Sequence, residues 1–254
     1  MTTTTTTTTT AMAEAVDVHK SFESSEVLEG VSFRLDRGET LVVMGGSGSG
    51  KTVLLRLIDG LLRPDSGTIR LFGEPIERLS EEALLPIRRR AGYVFQSAAL
   101  FDSLTVKENV AYPLREHTKL GEAEIHARVV HFLALVGLEE RVLPLLSAEL
   151  SGGMRKRVGI ARALVGQPEM LLFDEPTAGL DPTNSKLVAE LISELGSEVC
   201  DTAIVVTHDL ELAKTVADRV AVLIKGRFAA LGRLDDVLGS RDPDVQAFLS
   251  GEAR

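Results

Sequence analysis

One segment constrains the fold of this chain more than any other: a glycine-rich loop between a predicted strand and a predicted helix. The loop spans residues 45–52 and reads Gly-Gly-Ser-Gly-Ser-Gly-Lys-Thr. The apolar run at 41–44 before it is typical of a buried strand, and the apolar residues at 53–58 after it predict the first turns of a helix. A strand that leads into a helix through a tight loop indicates an α/β fold.

The same loop is a candidate site for a nucleoside triphosphate. It fits the pattern G-x-x-x-x-G-K-[ST], in which backbone N–H groups curl around phosphates and the helix N-terminus adds partial positive charge. Lys51 is predicted to reach the β- and γ-phosphates, and the Thr52 hydroxyl is predicted to bind Mg²⁺. The alternative is a glycine-rich turn without a ligand. The candidate phosphate-binding residues are Gly45, Gly46, Ser47, Gly48, Ser49, Gly50, Lys51 and Thr52.

Length and composition narrow the class of protein. At 254 residues and 44% hydrophobic content, the chain is long enough for one large core or for a core with a subdomain. A formal charge of −9 argues against nucleic acid as a partner, because phosphate backbones bind clustered Lys and Arg. Cys200 is the single cysteine, so an internal disulfide is excluded and a reducing compartment fits. No apolar run reaches the roughly 18 residues that span a bilayer.

The hydrophobic pattern divides the chain into an α/β core and a helical block. Strands are predicted at 15–22, 31–35, 39–44, 68–72, 92–95, 170–173, 203–207, 220–224 and 228–231. Between Ser97 and Gly166 no strand is predicted, and apolar residues recur there at helical spacing. We therefore expect a disordered threonine-rich tail at 1–12, a nucleotide-binding α/β core at 13–96 and 167–232, a helical subdomain at 97–166 and a helical tail at 233–254.

Four predicted strands end in residues that phosphate chemistry uses. Ligands of open parallel sheets gather at the carboxyl ends of the strands. The 45–52 loop, Gln96, the pair Asp174 and Glu175, and His208 all follow such ends. Asp174 is predicted to hold Mg²⁺ through water, and Glu175 to polarise an attacking water as general base. Two acids after a strand are otherwise a solvated turn, and a strand-end histidine or glutamine is otherwise structural.

Two further segments carry weaker signals. Leu-Ser-Gly-Gly at 150–153 leads into a predicted helix at 153–165, so Ser151, Gly152 and Gly153 form a candidate anion site at a helix N-terminus. Basic residues at 155–157 make this helix start positive, whereas a plain serine N-cap is the alternative. Phe22 ends a predicted strand and is a candidate to stack on an adenine ring, although its spacing alone favours a core position.

Taken in this order, the segments resemble the nucleotide-binding subunit of ABC transporters over roughly residues 15–231. Each motif of that family has a counterpart: residues 45–52 match the Walker A loop, Gln96 the Q-loop, 150–153 the signature, 170–174 with Glu175 the Walker B strand and catalytic glutamate, 179–181 the D-loop, His208 the switch histidine and Phe22 the A-loop aromatic.

The resemblance implies a fold and a set of ligands. The expected fold is an α/β P-loop NTPase core with a mixed, largely parallel sheet, an N-terminal antiparallel β subdomain and an inserted helical subdomain. ATP and Mg²⁺ are the expected cofactors. The implied roles are catalytic for Glu175, His208 and Gln96, metal-binding for Thr52, Gln96 and Asp174, and nucleotide-binding for the 45–52 loop, Phe22, Ser151, Gly152, Gly153 and Asp181.

The resemblance also implies partners. Two copies of the chain are expected to close head to tail over two ATP molecules, so that the signature of one copy completes the γ-phosphate site of the other. The signature ends in Met154 where many members have glutamine. This signature, the segment at 99–118 and the tail at 242–249 look like the ATPases of Mla/Mce-type transporters, which move phospholipids or other hydrophobic lipids between bacterial membranes. An integral permease dimer, a periplasmic Mce-type lipid-binding subunit and a place on the cytoplasmic face of the inner membrane would follow, with no nucleic acid.

Other interpretations remain open at this stage. One is the ATPase of another ABC importer, for amino acids or metals, against which Met154 and the 112–118 segment argue. A second is an ABC protein that acts on DNA or ribosomes without a membrane partner, but the chain has neither a long coiled coil nor a second cassette. A third is a regulatory nucleotide-binding module without turnover, against which the presence of Glu175 and His208 argues.

Overall fold

Ten strands and nine α-helices are present in the part of the chain that the computed structural model describes, residues 11–23 and 25–251. The strands are β1 Ala13–Phe22, β2 Ser25–Leu35, β3 Thr40–Met44, β4 Ser66–Leu71, β5 Glu74–Pro75, β6 Ala91–Val94, β7 Met170–Asp174, β8 Ala203–Thr207, β9 Arg219–Ile224 and β10 Arg227–Arg233. The helices are α1 Lys51–Ile58, α2 Glu81–Arg88, α3 Val106–His117, α4 Glu122–Leu135, α5 Gly152–Leu164, α6 Pro182–Glu198, α7 Leu210–Val216, α8 Leu234–Leu238 and α9 Pro243–Leu249.

The larger sheet has the order β10-β9-β3-β8-β7-β6, and all its pairs are parallel except β9 with β10. Successive side chains of a strand point to opposite faces, and in β3 both faces are buried. Leu41 and Val43 pack into the core on the side of α1, whereas Val42 and Met44 pack into the core on the side of α5 and α6. The continuous apolar run at 41–44 therefore reflects a central strand.

Parallel pairing places the carboxyl ends of four neighbouring strands side by side. β3, β8, β7 and β6 run in one direction, so the chain segments that follow them emerge at one edge of the sheet. These segments contain the 45–52 loop, His208, the Asp174–Glu175 pair and Gln96. The sheet therefore supplies the common edge that the strand-end prediction requires.

The smaller sheet is antiparallel, with the order β2-β1-β4-β5. It packs against the larger sheet and α1 through one shared apolar cluster. Ala11 and Met12, which the sequence assigns to the tail, are buried instead, and the Met12 amide donates to the Leu35 carbonyl. The threonine tract at 2–10 lies outside the described residues.

The helices α3, α4 and α5 lie between β6 and β7 in the chain and pack on one another. α3 begins with a capping box, in which Thr105 and Glu108 each bond the other's backbone N–H. The buried Asn109 side chain bonds the amide and the carbonyl of Phe101 and the carbonyls of Leu104 and Thr105, which ties the loop before α3 to that helix. Among the described residues from 97 to 166, the one β-type pairing is an isolated bridge between Thr105 and Leu146.

The predicted strands all exist, and the errors lie at their ends. β2 begins at Ser25, six residues before the prediction, because pairing with β1 extends it through a polar segment. β5 was not predicted, since two residues carry no periodicity. The predicted loop at 147–153 contains the 3-10 helix Ser147–Glu149. Within the described residues no helix is both long enough and apolar enough to cross a bilayer.

Candidate active site

The 45–52 loop connects β3 to α1, and its glycines are required by close contacts and by backbone conformation. Gly50 has φ +104°, and a Cβ there would lie 2.9 Å from Leu28 Cδ2. Gly48 has φ +76°. The amides of Gly48, Gly50, Lys51 and Thr52 donate to no acceptor in the described part of the chain. Four N–H groups at the start of α1 are therefore available to an anion.

Lys51 is the first residue of α1, and its buried ammonium lies at the centre of the site. Its Nζ donates to the carbonyls of Gly45, at 2.8 Å, and Gly46, at 3.0 Å. The same atom lies 3.3 Å from Glu175 Oε1. The lysine thus joins the glycine loop at the end of β3 to the acid at the end of β7.

Thr52 and Asp174 form the second part of the site. The Thr52 hydroxyl donates to Asp174 Oδ1 at 2.9 Å, and the Tyr93 hydroxyl donates to Asp174 Oδ2 at 3.3 Å. Burial raises the pKa of Asp174 above its ordinary value, and the hydrogen bonds from Thr52 and Tyr93 partly oppose that rise. A hydroxyl and a carboxylate at this distance are oxygen ligands of the kind that Mg²⁺ takes.

Glu175 and His208 form the third part. Glu175 has the left-handed φ of +47°, which is uncommon for a residue other than glycine. Its Oε2 lies 2.9 Å from His208 Nδ1 and accepts from the His208 amide and the Thr207 hydroxyl, each at 3.3 Å. The carboxylate is buried, whereas the His208 ring is 63% exposed. A buried base is thus paired with an imidazole that reaches solvent.

Gln96 is near this cluster through its backbone alone. Its side chain is exposed and forms no hydrogen bond with the described residues. Its carbonyl accepts from the ammonium of Lys156, 2.5 Å away, on α5. The structure thus leaves the Gln96 side chain apart from Thr52 and Asp174.

The signature residues are apart from the loop of their own chain. No hydrogen bond joins Ser151, Gly152 or Gly153 to the 45–52 loop within the described residues. Ser151 is the N-cap of α5, and its hydroxyl accepts from the Met154 amide at 3.2 Å. Its hydroxyl therefore acts as a serine N-cap within this chain.

The D-loop lies beside the signature. A Cβ on Gly153 would be 2.7 Å from Asn184 Oδ1, and one on Gly152 would be 3.5 Å from Leu180 Cδ2. Asp181 is the N-cap of α6 and accepts from the amides of Thr183 and Asn184 and from the Asn184 side chain. Those hydrogen bonds from Asn184 hold the pKa of Asp181 below its ordinary value.

Phe22 is not a core residue, which corrects the expectation from spacing alone. Its side chain is 43% exposed at the end of β1, and Lys20 Nζ lies 5.3 Å from the ring centroid. The ring is therefore accessible to a ligand from solvent. Ser49 also stands out, because its buried Oγ has no hydrogen-bond partner in the described part of the chain. An unpaired buried hydroxyl in this loop fits a ligand that brings oxygen atoms.

The basic residues at 155–157 do not all face the helix start. Arg155 donates to the Leu150 carbonyl at 2.6 Å, but Lys156 is buried and Arg157 donates to the Gly137 carbonyl at 2.9 Å. Neither the carbonyl contacts of Lys156 nor the hydrogen bond of Tyr93 to Asp174 was predicted. Both depend on tertiary packing, since Tyr93 reaches Asp174 through the pairing of β6 with β7.

The chemistry of this edge is that of phosphate transfer to water. Free amides and an ammonium suit phosphate oxygens, a hydroxyl and a carboxylate suit Mg²⁺, and a carboxylate beside an imidazole suits a polarised water. No group of three or more His, Cys, Asp or Glu able to hold a metal exists in the residues described. Mg²⁺ needs only one or two protein ligands when phosphates and water supply the rest, so Thr52 and Asp174 fit it.

Known proteins resemble this chain along most of its length. Residues 28–178 match the family model described as ABC transporter. The probable ribonucleotide transport ATP-binding protein mkl of Mycobacterium tuberculosis is 43% identical over 91% of this chain, and the chain spans 64% of that protein's length. The intermembrane phospholipid transport system ATP-binding protein MlaF of Escherichia coli is 41% identical over 89% of this chain and 84% of its own length.

A solved structure gives the same fold. It is the dimeric post-hydrolysis state of the ATP-binding cassette MJ0796 bound to ADP and Pi, which superposes with a TM-score of 0.82 at 33% identity. The alignment covers 88% of this chain and 99% of that one. The predicted α/β architecture, with its antiparallel sheet and inserted helices, is thereby confirmed.

Proposed function

This chain belongs to the ABC transporter family, and on that premise we propose that it is the ATP-hydrolysing subunit of a transporter that moves lipids between bacterial membranes. The observation that carries the ATPase part is the meeting of Lys51, Thr52, Asp174, Glu175 and His208 at one edge of the sheet. The lipid part is supported by the likeness to MlaF over 84% of that protein's length.

In this mechanism each polar group at the carboxyl edge of the larger sheet has one role. The free amides at the start of α1 and Lys51 bind the phosphates of ATP, and Phe22 stacks on the adenine. Thr52 and Asp174 would hold Mg²⁺, which would supply positive charge to the phosphates, and Gln96 would join them as a ligand once its exposed side chain turns toward them. Glu175 accepts a proton from the attacking water, and His208, hydrogen-bonded to it, keeps the carboxylate aimed.

The active unit is a pair of chains. Within the described residues the signature shares no hydrogen bond with the 45–52 loop of its own chain, which supports a role at the phosphate of a second copy. Head-to-tail closure brings Ser151, Gly152 and Gly153 of one copy to the γ-phosphate on the other, with Asp181 at the same interface. The dimeric state of the similar cassette supports this arrangement.

The partner is an integral permease that docks on the helical block. A groove of about 600 Å³ opens beside the turn that follows Gln96, between α2, α3 and α5. Phe101 and Tyr112 lie in it with exposed fractions of 43% and 42%, and their rings contact each other at an angle of 47° with centroids 5.0 Å apart. Leu104, the third apolar candidate for contact, is half-buried. A cytoplasmic segment of the permease fills this groove, and a periplasmic Mce-type subunit completes the assembly on the outer side of the membrane.

Purification from the native membrane tests the proposal. The tagged chain should capture an integral permease and a lipid-binding periplasmic subunit, with phospholipid detectable by mass spectrometry. The complex should hydrolyse ATP at a rate different from that of the isolated chain. An amino acid or metal importer would instead yield a permease whose ATPase responds to a soluble solute-binding protein. A chain that fractionates wholly in the cytosol and captures no membrane protein would contradict transport.

A further inference from the structure

Helix α5 contacts the turn that follows Gln96 through residues at steps of three. This turn, residues 96–99, leads from β6 toward α3 and is called the 96–99 turn below. The contacting residues are Lys156, Gly159 and Arg162. Steps of three residues keep them along one side of the helix.

Lys156 bridges the ends of two strands. Its ammonium is buried and donates to the Gln96 carbonyl at 2.5 Å and the Glu175 carbonyl at 3.1 Å. Desolvation by burial lowers the pKa of Lys156, so the charged form depends on these acceptors for its hydrogen bonds. One side chain of α5 thus joins the segment after β6 to the segment after β7.

Both bridged segments have strained backbones. Glu175 has φ +47°, and Ala98 and Ala99 have φ +61° and +46°. Such conformations persist in residues other than glycine when surrounding contacts over-determine them. The Glu175 amide donates to the Val206 carbonyl at 2.9 Å, and its carbonyl accepts from Lys156 and from the Ala178 amide. The backbone that aims the carboxylate is therefore fixed by the sheet on one side and by α5 on the other.

The second strained segment is fixed by the same helix. Arg162 donates from Nη2 to the Ala98 carbonyl and from Nη1 to the Ala99 carbonyl, both at 2.7 Å. Gly159 allows this approach, because a Cβ there would lie 3.0 Å from Ala98 Cβ. The 96–99 turn is thus bound to α5 through three of its four carbonyls, those of Gln96, Ala98 and Ala99.

The geometry points to Lys156 as a positioning residue for hydrolysis. Its two hydrogen bonds keep Glu175 and the 96–99 turn in a fixed position relative to α5. This inference rests on the proposed ATPase function. Within the described residues Lys156 donates no hydrogen bond to the phosphate loop, and its acceptors are two carbonyls outside residues 45–52. Its loss therefore affects the aim of Glu175 rather than the affinity for ATP.

Steady-state kinetics on the full chain give the first test. Lys156→Met removes both hydrogen bonds while keeping an unbranched side chain, and kcat should fall by about tenfold or more with KM for ATP changed less than about twofold. Lys156→Arg retains charged donors and should recover most of the lost kcat. Arg157→Met is the matched control, because it removes a cation from the same helix that bonds carbonyls at the end of α4 instead, and its kcat should match the wild type.

Amide hydrogen exchange gives a readout that does not depend on turnover. In Lys156→Met, peptides covering 95–101 and 175–180 should exchange about fivefold or more faster than in the wild type. Arg157→Met should leave both peptides unchanged. If Lys156→Met does not fold, Lys156→Gln, which is shorter and uncharged, replaces it in both measurements.

The outcomes separate this inference from the proposed function. Unchanged kcat in folded Lys156→Met overturns the positioning role, and so does a rise in KM that matches the fall in kcat. Unchanged exchange in both peptides overturns the fixation of the two segments. A wild-type chain that does not hydrolyse ATP overturns the proposed function instead, and the exchange rates then decide by themselves whether Lys156 fixes the two segments.

Discussion

At the scale of single residues, Glu175 shows how backbone and side chain combine at this site. Its carboxylate contacts the buried Lys51 ammonium on one oxygen and the exposed His208 ring on the other. Its backbone has a left-handed conformation. A general base needs a fixed position relative to the water that it deprotonates. The carboxylate therefore combines charge, burial and a constrained direction.

Glu175→Gln should bind ATP but lose steady-state hydrolysis. The change removes the base and leaves the phosphate and Mg²⁺ contacts in place, so turnover should fall by about 100-fold or more. Phosphate release measures turnover, and size-exclusion chromatography with ATP should show an accumulated dimer. Glu190→Gln, an exposed acid on α6, is the control and should retain wild-type turnover. Near-normal phosphate release by Glu175→Gln would show that this residue is not the base.

Lys51→Ala should lose affinity for the nucleotide itself. Removing a charged donor to phosphate should weaken ATP binding by about tenfold to a hundredfold, measured by calorimetric titration. Lys186→Ala, which removes an exposed lysine on α6, should bind like the wild type. Equal affinities of Lys51→Ala and the wild type would count against the whole phosphate site.

Asp59 should make the stability of the fold depend on pH. It follows α1, is 7% exposed, and burial raises its pKa from 3.8 to about 7 against the opposing charge of Arg88. Between these two pKa values the folded state holds a proton that the unfolded state has lost, so the free energy of unfolding falls as pH rises and levels off above pH 7.

Asp59→Asn tests this pH dependence. At pH 8 the free energy of unfolding of the variant should exceed that of the wild type by about 2–4 kcal/mol, and this difference should shrink toward pH 4. Urea denaturation at several pH values measures it. Asp236 is an exposed acid on α8 and serves as the control. The free energy of unfolding of Asp236→Asn should differ from that of the wild type by an amount that does not change with pH. A gain for Asp59→Asn that is equal at every pH would refute the assignment.

At the scale of elements, α5 has two separate tasks at its two ends. Its N-terminus carries Ser151, Gly152 and Gly153, which share no hydrogen bond with the phosphate loop within the described residues, whereas Lys156 and Arg162 bind the 96–99 turn. One rigid helix thus links a surface for a second copy to the core of its own chain. Helices suit this task because their backbone hydrogen bonds keep the spacing between such residues constant.

Ser151→Arg should block hydrolysis in the partner copy. The long side chain would enter the phosphate site that the signature completes, so the homodimer should be inactive. Mixing this variant with Lys51→Ala creates heterodimers with one site that carries both lesions and one intact site. With random assembly, activity should return to at most about a quarter of the wild type. A Ser151→Arg protein that is as active as the wild type would refute the composite site.

At the scale of the whole molecule, one short segment is shared by the candidate active site and the groove proposed for docking. The 96–99 turn is linked to Glu175 through Lys156, which bonds the carbonyls of Gln96 and Glu175, and Ala99 and Phe101 line the groove. A change in the position of this turn therefore affects both sites. Such an arrangement allows binding energy at one site to shift the other.

Tyr112→Ala should separate docking from catalysis. Its ring is exposed in the groove and, within the described residues, forms no hydrogen bond with Lys51, Thr52, Asp174, Glu175 or His208. ATP hydrolysis by the isolated chain should therefore stay within about twofold of the wild type, while permease capture falls by about tenfold. Co-purification from membranes measures capture. Leu231→Ala, an exposed apolar residue on β10, is the control and should capture normally. Equal capture by both variants would place docking elsewhere.

Most of the elements and the local chemistry of the site could be predicted from the sequence. β3, the phosphate loop and α1 follow from apolar runs and glycine spacing, since these depend on neighbours in the chain. The pair Asp174 and Glu175 at the end of a buried strand could be predicted for the same reason. The family resemblance ordered these segments, and the comparisons confirm the family.

The tertiary structure alone decided which side chains meet and which backbones are strained. The contacts of Lys156 with Gln96 and Glu175, and of Tyr93 with Asp174, join residues far apart in the chain, and local periodicity carries no information about such pairs. The exposure of Phe22 and the burial of Met12 likewise depend on how the two sheets pack. The positive φ of Glu175 persists only because the sheet and α5 hold it from both sides, and no local preference of glutamate favours that conformation.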